Sequence, residues 1–343
     1  MKKILVTGGT GYIGSHTCVE LLRAGYEVVI ADNLSNSRIE VVDRIAEISG
    51  KRPSFYKTEL CNQAETEQLF NKEKNIEAVI HFAAMLQVNE SVQEPLNYYE
   101  NNLFSQINVL QSMLRHGVKH FVFSSSCTVY GNPDQLPVTE NAPVKKAESP
   151  YGNTKQMGEE IMEHTCKTKS IEAISLRYFN PIGAHESALI GEVQHGVPHH
   201  LVPYITETAF GKRTHINVFG SDYNTHDGSC VRDYIHVEDV ATAHIAAVER
   251  LMSGNNKKKY EVFNIGTGKG YSVLDMIHAF KKTTGIAIPY QLAPRRDGDV
   301  EAVFADTSLA EKELNWKAKY GIEQMLLSAW NWEQNQSSTS VAK

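Results

Sequence analysis

The first half of the chain alternates short apolar runs with longer amphipathic stretches. Ile4–Thr7 is apolar and β-branched. Glycines follow, then an amphipathic stretch that closes at Arg23-Ala24-Gly25, where Gly25 suits the position just beyond a helix. Tyr26–Ala31, Glu77–Ala83 and His120–Ser124 read as further strands, and their apolar character is nearly continuous. Strands buried on both faces require such runs, so a parallel sheet covered by helices is expected. Leu103, Ile107, Leu110 and Leu114 recur at helical spacing between the last two strands. Repeated strand–helix units predict an α/β fold with a doubly wound parallel sheet.

Beyond Asn180 the pattern breaks. Pro181–Tyr204 carries His, Gly and Pro with little periodicity, whereas Tyr260–Ile265 reads as a buried strand that rejoins the first sheet. The organisation expected is a first domain over 1–180, rejoined by a segment at about 233–265. A smaller mixed α/β substrate domain over 181–333 and a disordered Gln- and Ser-rich tail over 334–343 complete it. The length of 343 residues agrees with two units, because single cores stop growing at about 250–300 residues.

Charge and cysteines narrow the functional classes. With 34 Lys+Arg against 40 Asp+Glu the chain lacks the basic excess of a nucleic-acid binder. No apolar run reaches the roughly 20 residues that span a bilayer, so no membrane role is expected. Cys18, Cys61, Cys127, Cys166 and Cys230 are odd in number and form no CxxC pair, and Gly8–Gly11 interrupts any signal-like run at the N-terminus. Structural thiols in a reducing cytoplasm, and no metal, are the expectation.

Candidate chemistry starts at Thr7-Gly8-Gly9-Thr10-Gly11-Tyr12-Ile13-Gly14, which follows the first strand and opens the first helix. Gly8, Gly11 and Gly14 allow a tight turn and close approach to a pyrophosphate, which the helix N-terminus attracts. Asp32, at the end of the second strand, is placed to bond adenosine ribose hydroxyls and to repel a 2′-phosphate. A Rossmann-type site preferring NAD over NADP follows.

Tyr151 and Lys155 stand at i and i+4 on a helix opened by Ser149-Pro150. A tyrosine near pKa 10 is a poor base, but a neighbouring ammonium and a nicotinamide charge favour its phenolate. Tyr151 is therefore a candidate general acid/base for a sugar hydroxyl. Ser126, at the end of the His120–Ser126 strand, can bond the oxygen being oxidised, while Ser124 and Ser125 are expected merely to end the strand.

The loop spacing T-G-x-x-G-x-x-G with Tyr-x-x-x-Lys resembles the short-chain dehydrogenase/reductase superfamily, and the length resembles its extended, nucleotide-sugar branch. Ser126–Gly131, Arg177–Ala184, Val231–Val237 and Ala293–Asp299 are similar to blocks of the UDP-glucose 4-epimerase family, over about residues 1–333. The resemblance implies a tightly held NAD, a UDP-hexose substrate and a homodimer. It implies that Tyr12, Ile13, Asp32, Asn33, Leu34, Ser35, Asn36, Ser37, Glu59, Leu60, Phe82, Ala83, Ala84, Met85, Leu86, Asn101 and Phe179 line NAD with the glycines, Ser126, Tyr151 and Lys155. It also implies that Asn180, His200, Leu201, Asn217, Phe219, Arg232, Arg296, Asp299 and Val303 line the UDP-sugar with Ser126 and Tyr151. In the mechanism so implied, Tyr151 takes the C4 hydroxyl proton as the C4 hydride leaves. Lys155 bonds the nicotinamide ribose and lowers the Tyr151 pKa, and Ser126 orients the hydroxyl. The keto sugar then turns and is reduced on its other face.

Related dehydratases carry an Asp-Glu pair where this chain has Cys127-Thr128, so no acid is present for elimination. Four departures from the family pattern stand out. Leu86 replaces a Lys, Glu59 an Asp, His199-His200 an Asn-Asn pair, and Val303 a Tyr found in glucose-restricted members. The last predicts turnover of N-acetylated UDP-hexoses, unless a neighbouring side chain refills the space. His199 and His200 with His195 are not expected to hold zinc. Leu103–Leu114 and Met157–Met162 offer apolar helical faces that either meet a second copy or pack on the sheet. Rival readings are a UDP-glucuronate 4-epimerase and a non-catalytic NAD-binding regulator.

Overall fold

In chain order the strands are β1 (Lys3–Thr7), β2 (Glu27–Asp32), β3 (Ser54–Lys57), β4 (Ile76–His81), β5 (His120–Ser126), β6 (Glu172–Tyr178), β7 (Asn180–Ile182), β8 (Ile216–Phe219), β9 (Val231–His236), β10 (Tyr260–Ile265), β11 (Gly270–Ser272), β12 (Tyr290–Ala293) and β13 (Ala302–Val303). The helices are α1 (Tyr12–Arg23), α2 (Glu40–Ser49), α3 (Gln63–Lys72), α4 (Val88–Gln93), α5 (Pro95–His116), α6 (Pro150–Thr168), α7 (Leu201–Ala209), α8 (Val237–Met252), α9 (Val273–Thr284), α10 (Ser308–Leu314) and α11 (Ile322–Val341). The computed structural model describes residues 1–193, 196–198, 200–296 and 299–341. His195 and His199 lie outside the described residues.

Seven parallel strands form the main sheet in the order β10-β6-β5-β4-β1-β2-β3. Alternate residues of each strand go to opposite faces, and both faces are covered. Ile4, Val6, Val28 and Ile30 pack with Val19 and Leu22 of α1 and Val240 and Ala247 of α8. Leu5, Val29, Phe121 and Phe123 pack with Leu69 of α3, Val109 and Met113 of α5 and Met162 of α6. Near-continuous apolar runs are the sequence-level mark of this double burial. From β1 the chain moves outward through β2 and β3, then crosses to β4 on the other side. The reversal opens a crevice at the carboxyl ends of β1 and β4, where ligands of such sheets bind.

Residues between β6 and β10 and after β10 build the smaller mixed sheets. β9 pairs in parallel with β7 and β13 and antiparallel with β11, and β8 pairs in parallel with β12. Helices α7, α9 and α11 enclose Ile205, Val218, Phe280, Leu326 and Trp330. Within the stretch from residue 334 expected as a disordered tail, α11 continues to Val341. Trp332 Nε1 donates to Glu192 O at 2.9 Å, and Ser337 Oγ donates to Glu333 Oε1 at 3.0 Å. These contacts order a segment whose composition alone reads as loose.

Candidate active site

At the crevice floor the glycine loop is packed backbone against backbone. Gly8 has φ +68°, a conformation that a Cβ disfavours, and a methyl group there would lie 2.8 Å from Ala83 N. A methyl on Gly14 would lie 2.2 Å from Gly8 O, so α1 can approach the loop only without a side chain. At Gly11 the nearest atom is Gly8 O at 3.2 Å. No side chain caps α1 at Gly11, and its first turn carries no acid. The first amides of α1 are thus left to an anion, which the helix end favours.

Asp32 ends β2 nearly buried. Its carboxylate accepts from Thr10 N at 3.2 Å, Leu34 N at 2.9 Å and Ser37 Oγ at 3.1 Å. Leu34 adopts φ +62°, turning the 32–37 loop around that carboxylate. Ser35 N donates to Asn33 Oδ1 at 2.9 Å, Asn33 Nδ2 donates to Glu59 Oε2 at 2.8 Å, and Asn36 is exposed. Leu60 is buried behind Glu59. At the end of β4, Phe82 N donates to Thr7 O at 3.0 Å and Met85 N to Asn102 Oδ1 at 2.8 Å. Asn102 Nδ2 donates onward to Thr154 Oγ1 at 3.0 Å, tying the 82–86 loop to α6, and neighbouring Asn101 bonds Asn102. Leu86 is exposed. The close-packed glycines, the uncapped amides at the start of α1 and Asp32 at the end of β2 suit NAD.

The three residues read as catalytic come together. Ser149 caps α6 through a bond from Gly152 N to its Oγ at 3.1 Å, and Pro150 opens the helix. Tyr151 and Lys155 then face the end of β5. Ser126 Oγ accepts from Thr128 N at 3.2 Å, and Ser126 is near enough to the Tyr151 phenol to lower its pKa. Lys155 is buried; its Nζ donates to Ser124 O at 2.8 Å and lies 5.8 Å from the centre of the Tyr151 ring. Burial pushes the Tyr151 phenol up to about 12, opposed by Ser126. Burial likewise pulls the Lys155 ammonium down to about 8, opposed by the Glu159 carboxylate. Burial pushes the adjacent Cys127 thiol up to about 12, which makes it inert rather than nucleophilic.

The expectation that Ser124 and Ser125 merely end the strand is corrected. Ser124 lends its carbonyl to Lys155 and pairs its hydroxyl with Tyr178, and Ser125 Oγ donates to Glu159. Sequence reading missed Ser124 because a backbone carbonyl leaves no trace in residue type. It also missed Asn102, for which an Asn-Asn pair inside a helix, a poor helix former, was the available signal.

Among the residues expected to line the sugar nucleotide, Asn180 Nδ2 donates to Asp233 O at 3.0 Å. Arg232, on β9, pairs in register with Val303 of β13. Val303 is buried with Phe179, Val129 and Cys127, so it belongs to the apolar wall beside Ser126. Asn217 and Phe219 share the outer face of β8 while Ile216 and Val218 go inward. Arg296 stacks 4.7 Å from the Phe219 ring centre and forks onto Asp299 at 2.9 and 3.2 Å, and Arg232 Nη2 lies 3.9 Å from the same carboxylate. Leu201 opens α7; His200 precedes it and meets Glu192 at 2.8 Å. Against burial, which lowers it, the Glu192 carboxylate raises the His200 pKa. All five cysteines are free.

A dinucleotide crevice with a Ser–Tyr–Lys set at its edge defines the class. The chain belongs to the NAD dependent epimerase/dehydratase family, whose model matches residues 4–266. More particularly, it is 50% identical over 332 residues to the UDP-glucose 4-epimerase of Bacillus subtilis, covering 96% of each chain. It is 49% identical over 333 residues to that of Haemophilus influenzae, covering 97% of each. A solved UDP-glucose 4-epimerase from Stenotrophomonas maltophila, with bound NAD and formylated UDP-arabinopyranose, superimposes with a TM-score of 0.95 at 46% identity, over 99% of this chain and 100% of that one.

Proposed function

We propose that this chain interconverts UDP-glucose and UDP-galactose by transient oxidation at C4 of the hexose, with NAD as its resident cofactor. The carrying observation is Tyr151 beside Ser126, with buried Lys155 one turn behind and 5.8 Å from its ring centre, and with Cys127 and Thr128 where an elimination would need acids. The amides of α1 and Asp32 hold NAD, with Phe82–Leu86 and Phe179 beside them. When bound, NAD accepts the C4 hydride and returns it, and its positive ring favours the Tyr151 phenolate. Tyr151 takes and gives back the C4 hydroxyl proton, Ser126 orients that hydroxyl, and Lys155 supplies the positive charge that the buried phenolate needs. Arg232 and Arg296 face the diphosphate as forked donors, with Asp299 released toward ribose hydroxyls.

Incubating the protein with UDP-galactose and coupling to UDP-glucose dehydrogenase tests the reading; NADH production is expected. Turnover of UDP-galacturonate in place of UDP-galactose would favour the UDP-glucuronate 4-epimerase alternative. An NAD-loaded protein inert toward both would favour the non-catalytic one.

Three finer statements belong to the same proposal. Residues 1–180 with about 233–265 serve NAD, and 181–333 the sugar nucleotide. Val303 is smaller than Tyr in the wall beside Ser126, and UDP-GalNAc is also a substrate; Val303→Tyr should depress its turnover selectively. The protein is a homodimer of a reducing cytoplasm. Leu110 and Met162 pack on the sheet, but Val92, Leu96, Phe104 and Met157 of α4, α5 and α6 are exposed, Leu96 by 78% and Phe104 by 51%. A second copy would cover this apolar face, and light scattering should give twice the chain mass.

A further inference from the structure

One turn beyond Lys155, the same face of α6 carries Glu159, which is buried. Tyr151, Lys155 and Glu159 meet three successive residues of β5. Tyr151 meets the Ser126 hydroxyl, Lys155 the Ser124 carbonyl and Glu159 the Ser125 hydroxyl. Glu159 is held in turn by Arg177 of β6, whose Nε donates to Oε1 at 2.9 Å and whose Nη2 donates to Oε2. Arg177 lies 4.8 Å from the Tyr130 ring centre and is itself buried. A buried pair of this kind is weak evidence of stability, since apolar replacements are often neutral or better. Its place behind the catalytic lysine calls for another account.

We propose that Glu159 is a positioning residue of the reaction: held by Arg177, it fixes the β5 terminus and places a carboxylate one helical turn behind Lys155. The inference rests on the epimerase reading above. The charged and titratable groups facing Lys155 come from several elements. On α6 they are Tyr151 and Glu159; on β5, the Ser124 carbonyl; on β4, His81; and on β6, Tyr178 and Arg177 near Glu159. His81 is buried and held down to about 3, so it stays neutral and does not compete. Tyr178 is buried with its pKa raised and stays protonated. Glu159 is the negative charge among them that supports Lys155. With the carboxylate in place, Lys155 remains charged over the neutral range and can stabilise the Tyr151 phenolate.

The test uses the NAD-loaded enzyme at saturating UDP-galactose. Glu159→Gln keeps the shape and an acceptor but removes the charge. The alkaline limb of kcat against pH should then move down by about one pH unit, since Lys155 loses its proton sooner. Glu159→Asp, which restores a carboxylate, should return the limb toward the parent position. If Glu159→Gln fails to fold because Arg177 is left unpaired, the double variant Glu159→Gln/Arg177→Met removes both charges and should show a smaller downward shift, since loss of the more distant guanidinium offsets part of the effect. A limb that stays at the parent position in a folded, NAD-loaded variant overturns the proposal. The epimerase reading fails separately, by absence of turnover in the parent protein at any pH.

Discussion

On the cofactor side, a methyl group at Gly14 would sit 2.2 Å from a neighbouring carbonyl; on the sugar side, the Arg296 side chain is more than half exposed and rests on Asp299 and the Phe219 ring. Hard-core contact between backbones fixes the first region. Exchangeable ion pairs and ring stacking at a rim fix the second. If the proposed role holds, a diphosphate would take over the arginine fork from Asp299, and the carboxylate would turn to other donors. The cofactor floor has no comparable freedom, because its partners are main-chain atoms of β1, α1 and the β4 exit. One side thus accepts or rejects a ligand as a whole, and the other adjusts its grip in steps.

The contrast can be broken most directly at the floor. Gly14→Ala should abolish NAD retention, read as cofactor released on denaturing the purified protein; parental NAD content would refute the steric account. Tyr151→Phe should keep NAD yet lower kcat by about 10²–10⁴-fold, the usual worth of a positioned acid–base group. Loss of NAD with the hydroxyl would mean that floor and chemistry are not separable. Arg296→Ala should raise the KM for UDP-galactose about tenfold or more while kcat changes little, as expected for losing charged hydrogen bonds at a rim. A collapse of kcat would place Arg296 among the reacting groups instead.

The smallest effect expected is on stability. Burial holds Lys155 at about 8, below its ordinary 10.5. Between those values the unfolded chain binds the proton that the folded chain has released, so this group makes stability rise with pH over that window. Lys155→Met should remove that rise, seen as a flatter plot of Tm against pH than the parent between pH 8 and 10. Parallel plots would show that Lys155 is not held uncharged by burial.

How much of this was legible in the sequence depended on how local the signal is. Gly8, Gly11 and Gly14, Asp32, and the Tyr151–Lys155 pair are encoded by spacing within one loop or one helical turn; the folded chain sets the glycines after β1, Asp32 at the end of β2 and Lys155 against the end of β5. The sheet was legible because runs such as Ile4–Thr7 and Glu77–Ala83 are apolar without alternation. Ser124 was not, since its contribution to Lys155 is a carbonyl reached across 31 positions. Glu159 and Arg177 were hidden for a different reason: each looks like an ordinary surface charge until β6 and α6 enclose both. The helical start of the stretch from 334 was not legible, because Gln and Ser content says nothing of the buried tryptophans, Trp330 and Trp332, that anchor α11 just before it.

The position of β10 has a consequence for how the chain is made. It closes the edge of the main sheet beside β6, yet residues 179–259 intervene. A ribosome that has released β6 therefore leaves its outer edge unpaired until most of the second unit has emerged. Open strand edges recruit other chains. The period between synthesis of Tyr178 and of Ile265 is when this protein is most exposed to misassembly. A truncation ending near residue 180 should keep the glycine loop and the Tyr–Lys helix but aggregate through β6.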